Sequence, residues 1–431
     1  MKKVLIISPY FPPLNAADMQ RIRLSLPYYK EFGWEPVVLT VDSGYMEDIV
    51  KDELLLKTVP LDTEIHKVKA VSGKLTKHIG INNASIRAIP YLYKKGLKII
   101  KKNEISLVFF STTSFHTMFL GRLWKNKTMV PYLIDMQDPW FSDIDYRDNF
   151  RNVFKFRINR EIHKRLEAWA MKKVDGLISV SDAYIDTLIT RYQFLKNRPS
   201  KTITFGASDI DFEVLKNNPQ KNRFFSKDSS QISGVYIGRA GKDMETSLSI
   251  IFNALQIGLK ENPEKFKKIK LYFIGTDYAP SKLAKKMVEP VAKKYGVTDY
   301  VYEFPERIPY FESLQIIKDS DFLIVSGSDE PQYSASKIYP YIMAKKPMIS
   351  VFHKESPIIK ILKELKSANV VGFLPNEDIE EYSNDLYMNW NNLLESIPFI
   401  PQTDWEAFKK YTAKALTLEQ CRLFDEVIKC A

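Results

Sequence analysis

The chain has little cysteine and little histidine for its length. Of 431 residues, two are cysteine, Cys421 and Cys430, and five are histidine. The cysteines lie near each other late in the chain, and no two histidines have the spacing of metal ligands. A small secreted domain held by disulfides and a zinc site both need richer patterns than this. We therefore expect no disulfide framework and no metal site.

Long hydrophobic runs are also absent. No window approaches the roughly 18 continuous apolar residues of a membrane-spanning helix. Near the start, the apolar run covers only residues 4–7. A secretion signal needs an apolar run of roughly 7–15 residues and a small-residue cleavage site after it. Residues 4–8 instead predict a first strand, and the sequence predicts a cytoplasmic protein, soluble or peripheral at the inner membrane face.

Positive charge exceeds negative charge. The formal net charge is +11, from 63 Lys and Arg against 52 Asp and Glu. An anionic partner is therefore expected, and phosphorylated small molecules, an anionic membrane and nucleic acid all meet this description. The lysines are dispersed, and no stretch resembles a nucleic-acid-binding module. We therefore expect no nucleic-acid partner.

The length favours two domains of about 200 residues each. Hydrophobic residues make up 45% and charged residues 27% of the chain, as in folded enzymes. Strand-like runs alternate with helical ones throughout, which predicts a parallel α/β sheet in each half. The linker between the domains is expected within the polar interval 206–233. The predicted domains are 1–212 and 213–400, with a terminal helical region, 401–431, that crosses back to the first domain.

Two helical stretches in the first half combine apolar and basic residues. The first, 86–102, has apolar residues on one side and Lys94, Lys98, Lys101 and Lys102 on the other. Two interpretations stay open: the apolar side packs on the sheet, or the helix contacts anionic phospholipid during work on a membrane-bound acceptor. The second, 151–173, has its apolar residues in one stripe. They are Phe154, Ile158, Ile162, Leu166 and Trp169.

The most informative stretch is 321–350. Residues 321–325 and 347–351 are short β-branched runs, as expected for buried strands. Between them, a polar loop leads to a helix predicted to begin at Ser334. Such a loop and helix start leave unpaired backbone N–H groups, which is where an anion such as a diphosphate binds.

Six segments, in this order, resemble the retaining glycosyltransferases of the GT-B architecture, in the group called family 4. The resemblance covers roughly residues 1–356. The segments are SPYFPPLNAAD, FFSTTSFHTMFLG, LIDMQDPW, VYIGRAGKDM, LYFIGTDYAP and SASKIYPYIMAKKPMIS. The resemblance implies two facing Rossmann-like parallel-sheet domains with an interdomain cleft. It also implies metal-independent transfer of a hexose from a nucleotide sugar to a cell-envelope polysaccharide, glycan or lipid-linked acceptor.

The resemblance also assigns site residues. Arg239, after Gly238, corresponds to the arginine that binds the diphosphate, and a guanidinium suits bidentate phosphate contact. In the first domain, His116 and Asp138 are the candidates for contact with the transferred sugar or the acceptor hydroxyl. The remaining donor-site candidates are Lys242, Phe304, Glu330, Gln332, Ser334, Ser336 and Lys337.

Three positions depart from the family pattern. The family has two glutamates separated by seven residues, and these positions are Gln332 and Pro340 here. A loop shift could bring Glu330 or Asp329 to the first position, but Pro340 has no side chain that reads ribose hydroxyls. Gln137 stands where the family often has arginine.

Two other functions remain open at this point. A nucleotide-sugar 2-epimerase of the same fold would need dedicated carboxylate acid and base groups, for which His116 and Asp138 are a thin set. A non-catalytic partner protein with this fold would explain why Gln332 and Pro340 replace both glutamates. Arg21 and Arg23, on the first helix, either reach an acceptor phosphate or are solvated.

Overall fold

The chain forms two compact units. The structure is a computed structural model that describes residues 1–46, 48–76, 78, 81–141, 153–226, 230–277, 279 and 283–431, without the side chains of 153–156. The first unit consists of Met1–Gly206 and Ala413–Ala431, and the second of Ala207–Thr412. The first unit is therefore built from both ends of the chain, with the second unit inserted between them.

The first unit contains a seven-stranded sheet in the order β3-β2-β1-β4-β5-β6-β7, and every pairing is parallel. Its strand order reverses between β1 and β4. In open parallel sheets, ligands bind beyond the carboxyl ends of the strands at such a reversal. The strands are β1 Lys2–Ile7, β2 Trp34–Val41, β3 Glu64–Val68, β4 Ile105–Ser111, β5 Tyr132–Met136, β6 Gly176–Ser179 and β7 Ser200–Thr202.

The second unit contains a six-stranded sheet in the order β10-β9-β8-β11-β12-β13, again parallel throughout. Here the order reverses between β8 and β11. The strands are β8 Ile232–Ile237, β9 Ile269–Ile274, β10 Val301–Phe304, β11 Phe322–Ser326, β12 Met348–His353 and β13 Asn369–Phe373.

Helices connect the strands and cover both faces of each sheet. In chain order they are α1 Gln20–Ser25, α2 Gly73–Thr76, α3 Ala84–Arg87, α4 Ile89–Lys102, α5 Phe119–Thr128, α6 Val153–Met171, α7 Asp182–Arg191, α8 Asp209–Asn217, α9 Glu245–Glu261, α10 Pro263–Phe266, α11 Glu289–Lys294, α12 Tyr310–Asp319, α13 Ile338–Met343, α14 Pro357–Glu364, α15 Ile379–Ser396, α16 Trp405–Phe408 and α17 Ala413–Cys430. Within the described residues, none of these helices is both long and apolar enough to cross a membrane.

Opposite faces of the first sheet are covered by different parts of the chain. On one face, α4 and α5 pack closely because Gly96 has no side chain, and a Cβ there would lie 2.4 Å from Trp124. On the other face, α17 inserts Phe424 between Trp34 and Phe109, with ring centroids at 5.3 and 5.1 Å. A helix from the end of the sequence thus completes the core of the first unit.

Several predicted helix boundaries are wrong. The sequence also predicts a helix from about Asp18 to Glu31, but the structure has only α1 there, because Pro27 lacks the N–H that would continue it. The interval 206–233, within which the linker is predicted, starts at the boundary between the two units and also contains α8, whose first turn is capped by the Ser208 hydroxyl. A helix is likewise predicted from the sequence at 281–295. Within the described residues it is only α11, and residues 281–282 lie outside the described part of the chain.

Candidate functional site

The loop after β8 carries Gly238 and Arg239, two of the predicted donor-site residues. Gly238 has a φ of +127°, a conformation that only glycine adopts without strain. The Arg239 guanidinium donates two hydrogen bonds to the Asp243 carboxylate, at 2.8 and 2.6 Å. Burial acts to raise the pKa of Asp243, but the hydrogen bonds and positive charge of Arg239 outweigh it and lower this pKa overall. The predicted diphosphate-binding arginine is therefore already paired with a carboxylate.

Lys337 lies directly beside this loop. A Cβ on Gly238 would lie 2.9 Å from the Lys337 Nζ, and this Nζ lies 3.8 Å from the centroid of the Tyr236 ring. The Nζ is buried and has no hydrogen-bond partner among the described residues. Burial, and then the charge of Arg239, lower the pKa of Lys337 to about 7. Two basic side chains thus lie together at the carboxyl end of β8, and for the Lys337 Nζ no hydrogen-bond partner exists within the described part of the chain.

The loop after β11 meets the loop after β8. The Asp329 N–H donates to the Asp243 carbonyl oxygen at 2.6 Å. Burial raises the pKa of the Asp329 carboxyl, and its Oδ1 is buried without a partner among the described residues. Next to it, Glu330 is exposed and its N–H donates to the Ser328 hydroxyl. Asp329 is therefore the more enclosed of the two carboxylates proposed to replace the missing glutamate.

The helix after this loop is shorter than predicted. It begins at Ile338, so Ser334 and Ser336 precede it and neither caps it. The Tyr341 hydroxyl accepts a hydrogen bond from the Ile237 N–H at 2.8 Å, which fixes the helix to the end of β8. This contact holds Lys337 against Gly238, although α13 is too short to supply a helix-terminus anion site by itself.

The other predicted donor-site residues lie further from this group or on the surface. Gln332, Ser336 and Lys242 are exposed. Phe304 ends β10, two strands from β8, and its ring packs against Phe224 with centroids 4.8 Å apart. Of the predicted residues, the structure brings together Gly238, Arg239 and Lys337.

Glu303, next to Phe304, has a structural role. Its carboxylate is buried and accepts hydrogen bonds from three backbone N–H groups at the start of α11, at 2.8–3.0 Å, and from the Thr276 hydroxyl at 2.5 Å. The backbone N–H groups at the start of α11, which have no partner within the helix, are therefore satisfied by the Glu303 carboxylate.

In the first unit, His116 follows β4 and packs against another histidine. The ring centroids of His116 and His163 lie 4.6 Å apart, and the indole of Trp140 donates to His163 Nδ1 at 3.0 Å. Burial, and then His163, lower the pKa of His116 to about 4. His116 is therefore neutral at pH 7 and can act as a hydrogen-bonding group there, but not as a cation. Asp138, the other predicted residue of this unit, is exposed.

Asp18, which sequence reasoning did not single out, lies at the reversal of strand order between β1 and β4. Its carboxylate is buried and accepts hydrogen bonds from the Thr112 hydroxyl at 2.7 Å and the Thr113 N–H at 3.2 Å. Burial raises the pKa of Asp18 to about 6. The only signal in the sequence is its position at the end of the long loop after β1, where many residues are merely structural.

Arg21 is buried and structural, so neither role predicted for it holds. Its Nε donates to Asp135 at 2.6 Å, and its Nη2 donates to the Ile203 carbonyl oxygen at 2.7 Å. The same Asp135 oxygen accepts from Ser111 and Gln137 at 2.8 Å each. Gln137, where the family often has arginine, thus belongs to a buried network that fixes the loop after β5. Arg23 is also buried, bonded to Gln20 and Thr58.

Comparison with known proteins gives matches of structure only. No family model matches the sequence, and no curated protein matches it. Three solved structures align over nearly the whole chain. They are a glycosyltransferase from Rickettsia africae (14% identity, 100% of this chain and 99% of that one, TM-score 0.54), the Anabaena protein HepE in complex with UDP-glucose (13%, 100% and 99%, 0.54), and a mutant of S. aureus TarM in complex with fondaparinux, alpha-GlcNAc-glycerol and UDP (12%, 99% and 100%, 0.57).

At 12–14% identity, this likeness shows the fold. The predicted fold class, α/β with two Rossmann-like parallel sheets as in GT-B proteins, is confirmed. The roles of individual site residues stay predictions.

Proposed function

We propose that the chain is a glycosyltransferase of the hexosyltransferase type. It transfers a sugar from a nucleotide donor, with retention of the anomeric configuration, to a polysaccharide, another glycan or a lipid-linked acceptor of the cell envelope. The nucleotide sugar is a substrate, and the reaction needs no metal ion. The fold shared with a glycosyltransferase and with UDP-bound proteins supports this proposal.

The observation that carries the proposal is the pair of cations at the end of β8. A departing nucleoside diphosphate develops negative charge, and fixed cations and N–H groups stabilise it. Arg239 supplies a planar guanidinium, and Lys337 a buried ammonium with no hydrogen-bond partner among the described residues. Burying a lysine without a partner is unfavourable, and a bound diphosphate would remove that imbalance.

Each remaining predicted residue has a role in this proposal. Ser334 and Ser336 hold the β-phosphate, Phe304 flanks the nucleobase, and Lys242 adds positive charge. Glu330, or the more enclosed Asp329, replaces the missing glutamate beside the sugar, and Gln332 hydrogen-bonds it. In the first unit, His116 and Asp138 contact the sugar and the acceptor hydroxyl. Because the pKa of His116 is lowered, it hydrogen-bonds as a neutral ring.

The test is nucleotide release from a panel of nucleotide sugars, with and without cell-envelope lipid extract. We expect release from at least one donor, dependent on the extract. The Arg239→Ala variant should release nucleotide about 100-fold more slowly, as when one charge-stabilising group is removed. Lys260, an exposed residue of α9, provides the matched control, and Lys260→Ala should retain full activity. The anomeric proton coupling of the product, measured by NMR, tests retention.

A non-catalytic partner protein with this fold is the second candidate, because Gln332 and Pro340 replace both family glutamates. Nucleotide binding that Arg239→Ala weakens, with no release from any donor, would favour it. Conversion of the donor sugar without any acceptor would instead indicate an epimerase. The absence of nucleotide binding, in the wild type and the variant alike, would contradict both enzyme functions and favour the partner protein.

A further inference from the structure

The helices α4, α5 and α6 lie side by side on one face of the first sheet. Trp124 of α5 donates its indole N–H to the Tyr93 carbonyl oxygen of α4 at 3.1 Å. Arg122 of α5 donates to the Trp169 carbonyl oxygen of α6 at 3.4 Å. Helix α5 is therefore in contact with both of the others. We call these three helices the basic layer.

The basic layer carries a charge excess as large as that of the whole chain. Helices α4 and α5 contain no acidic residue, and α6 contains two glutamates. One of them, Glu167, is buried and paired with Arg191 at 2.6 Å. The layer has thirteen lysines and arginines against these two glutamates, an excess of eleven, which equals the formal net charge of +11. The rest of the chain is therefore neutral overall, and the excess of positive charge lies in these three helices.

The same layer exposes apolar side chains on α6. Ile158, Ile162 and Trp169 are 46, 47 and 41% exposed. Their spacings of four and seven residues place them on one side of a helix. The opposite side is buried at Ala170 and Met171. The apolar stripe predicted for this helix thus lies on the solvent side at these three positions.

Helix α4 contributes charge to this surface and little apolar area. Its apolar residues Leu92, Ile99 and Ile100 are buried. Of the two interpretations of α4, packing on the sheet is therefore correct for its apolar side. Lys94 and Lys98 are exposed.

We propose that the basic layer docks on the surface of a bilayer that contains anionic phospholipid. The stripe of Ile158, Ile162 and Trp169 enters the boundary between headgroups and acyl chains, where tryptophan and aliphatic side chains partition. The lysines and arginines reach the anionic headgroups while their methylene stems cover apolar surface. The inference does not rest on the donor site, since the basic layer contains none of its residues.

A bilayer accounts for both the excess of basic residues and the exposed apolar stripe, whereas a soluble polyanion accounts only for the basic residues. Nucleic acid or an anionic polysaccharide would neutralise the lysines and arginines. Neither offers an apolar medium to Ile158 and Ile162. An interfacial helix has both a basic face and exposed large apolar residues, as α6 has.

Sedimentation of the full-length protein with vesicles tests the proposal. The vesicles are phosphatidylcholine alone and an equal mixture of phosphatidylcholine and phosphatidylglycerol. We expect binding to the mixture only, and weaker binding as salt is added. The double variant Ile158→Gln with Ile162→Gln should bind about tenfold more weakly because it buries less apolar area. Lys94→Gln with Lys98→Gln should bind about 30-fold more weakly.

Matched controls use exposed apolar residues and exposed lysines outside the layer. Leu61→Gln with Met388→Gln removes two exposed apolar side chains, and Lys267→Gln with Lys268→Gln removes two exposed charges. Both control variants should bind as the wild type does. Circular dichroism and the unfolding temperature should be the same for every variant, because all the replaced side chains are exposed.

Three results would overturn the proposal. The first is equal binding to both kinds of vesicle, or to neither. The second is unchanged binding by the isoleucine variant, which would make the interaction purely electrostatic. The third is binding to DNA or heparin that is as tight as binding to the anionic vesicles and independent of the two isoleucines, which would identify the partner as a soluble polyanion.

Discussion

Lys337 has a buried Nζ with no hydrogen-bond partner in the described part of the chain. Its pKa is lowered to about 7 by burial and Arg239, against 10.5 for an ordinary lysine. Between these two values the unfolded chain binds a proton that the folded chain does not. Stability therefore rises with pH across this window, at about 1.4 kcal/mol per pH unit for one group. A buried lysine amine that lowers the stability of the folded state is typical of ligand-binding sites, because it contributes nothing to the packing of the protein.

The Lys337→Met variant should thus be more stable than the wild type at pH 7, by a few times about 1.4 kcal/mol. The difference should shrink as the pH approaches 10, because the lysine is then neutral in both states. Unfolding temperatures at pH 7, 8.5 and 10 measure this. Lys260→Met, at an exposed site, should show no such trend. An equal or lower stability of Lys337→Met at pH 7 would contradict the buried, unpaired ammonium.

Asp243 competes with any anion for Arg239. Its carboxylate occupies both terminal nitrogens of the guanidinium, so a diphosphate must displace it or share the remaining N–H groups. The Asp243→Asn variant removes one negative charge from the site and keeps a side chain of the same shape. We expect it to bind UDP several-fold more tightly, since charged hydrogen bonds of this type contribute about 1.5–3 kcal/mol. Isothermal titration measures the affinity, and weaker binding would mean that Asp243 positions Arg239 for the ligand.

Asp18 and His116 have opposite effects on acid stability. The raised pKa of Asp18, about 6, means that the folded state binds its proton first, so this group stabilises the fold increasingly as the pH falls from 6 to 4. The lowered pKa of His116, about 4, means that the unfolded state binds its proton first, so this group destabilises the fold as the pH falls from 6.5 to 4. Their effects offset each other in the wild type.

Replacing either Asp18 or His116 should expose the effect of the other group on the pH dependence of stability. Between pH 6.5 and 4, Asp18→Asn should lose more stability than the wild type does, and His116→Asn should lose less. Urea unfolding at several pH values measures both, and the slopes should differ by about 1.4 kcal/mol per pH unit where a single group titrates. Parallel slopes for all three proteins would contradict the two pKa shifts.

At the level of helices and strands, the sequence located strands better than helix ends. The buried runs in β4, β11 and β12 are continuous and β-branched, so they were recognised directly. Helix ends depend on contacts that are distant in sequence. The start of α11 is held by Glu303, and α13 is fixed by Tyr341 to the end of β8. Neither contact can be inferred from local sequence.

The same limit applies to the candidate site. The position of Arg239 after a strand that ends in glycine was recognised from its resemblance to a family segment. Its pairing with Asp243 and the burial of the Lys337 Nζ depend on how the loops after β8 and β11 meet. Arg21 was wrongly expected to be solvated or to bind phosphate, because its partner Asp135 is 114 residues away in the chain.

Close packing of α4 on α5 gives a test at the level of elements. The Gly96→Ala variant places a methyl group 2.4 Å from the Trp124 ring, so one of the helices must move. We expect a loss of about 1–3 kcal/mol, as for overpacked cores. Gly73→Ala is the matched control, since its nearest neighbour would lie at 3.5 Å and alanine favours a helix. Urea unfolding compares them, and equal stability of the two variants would show that the helices adjust at no cost.

At the scale of the whole molecule, the first unit depends on α17. Phe424 is fully buried against Tyr29, Trp34 and Phe109. Phe424→Ala should lower the stability of the first unit by about 3–5 kcal/mol through the cavity it leaves. Arg422→Ala, an exposed site on the same helix, should change it little. Amide hydrogen exchange shows which unit is destabilised: the protection of backbone amides should fall in β1 and β4 and remain unchanged in β8 and β11.

The place of α17 in the chain also bears on how the protein is made. The strands of the first sheet leave the ribosome first, but the helix that covers Trp34 and Phe109 follows only after the 206 residues of Ala207–Thr412. At roughly 5–20 residues per second, this interval lasts roughly 10–40 s. During that time the nascent chain presents an aromatic surface with nothing to cover it, while the contiguous second unit can already fold. The half that is synthesised first is therefore the half that finishes folding last, and it is the natural client for a chaperone.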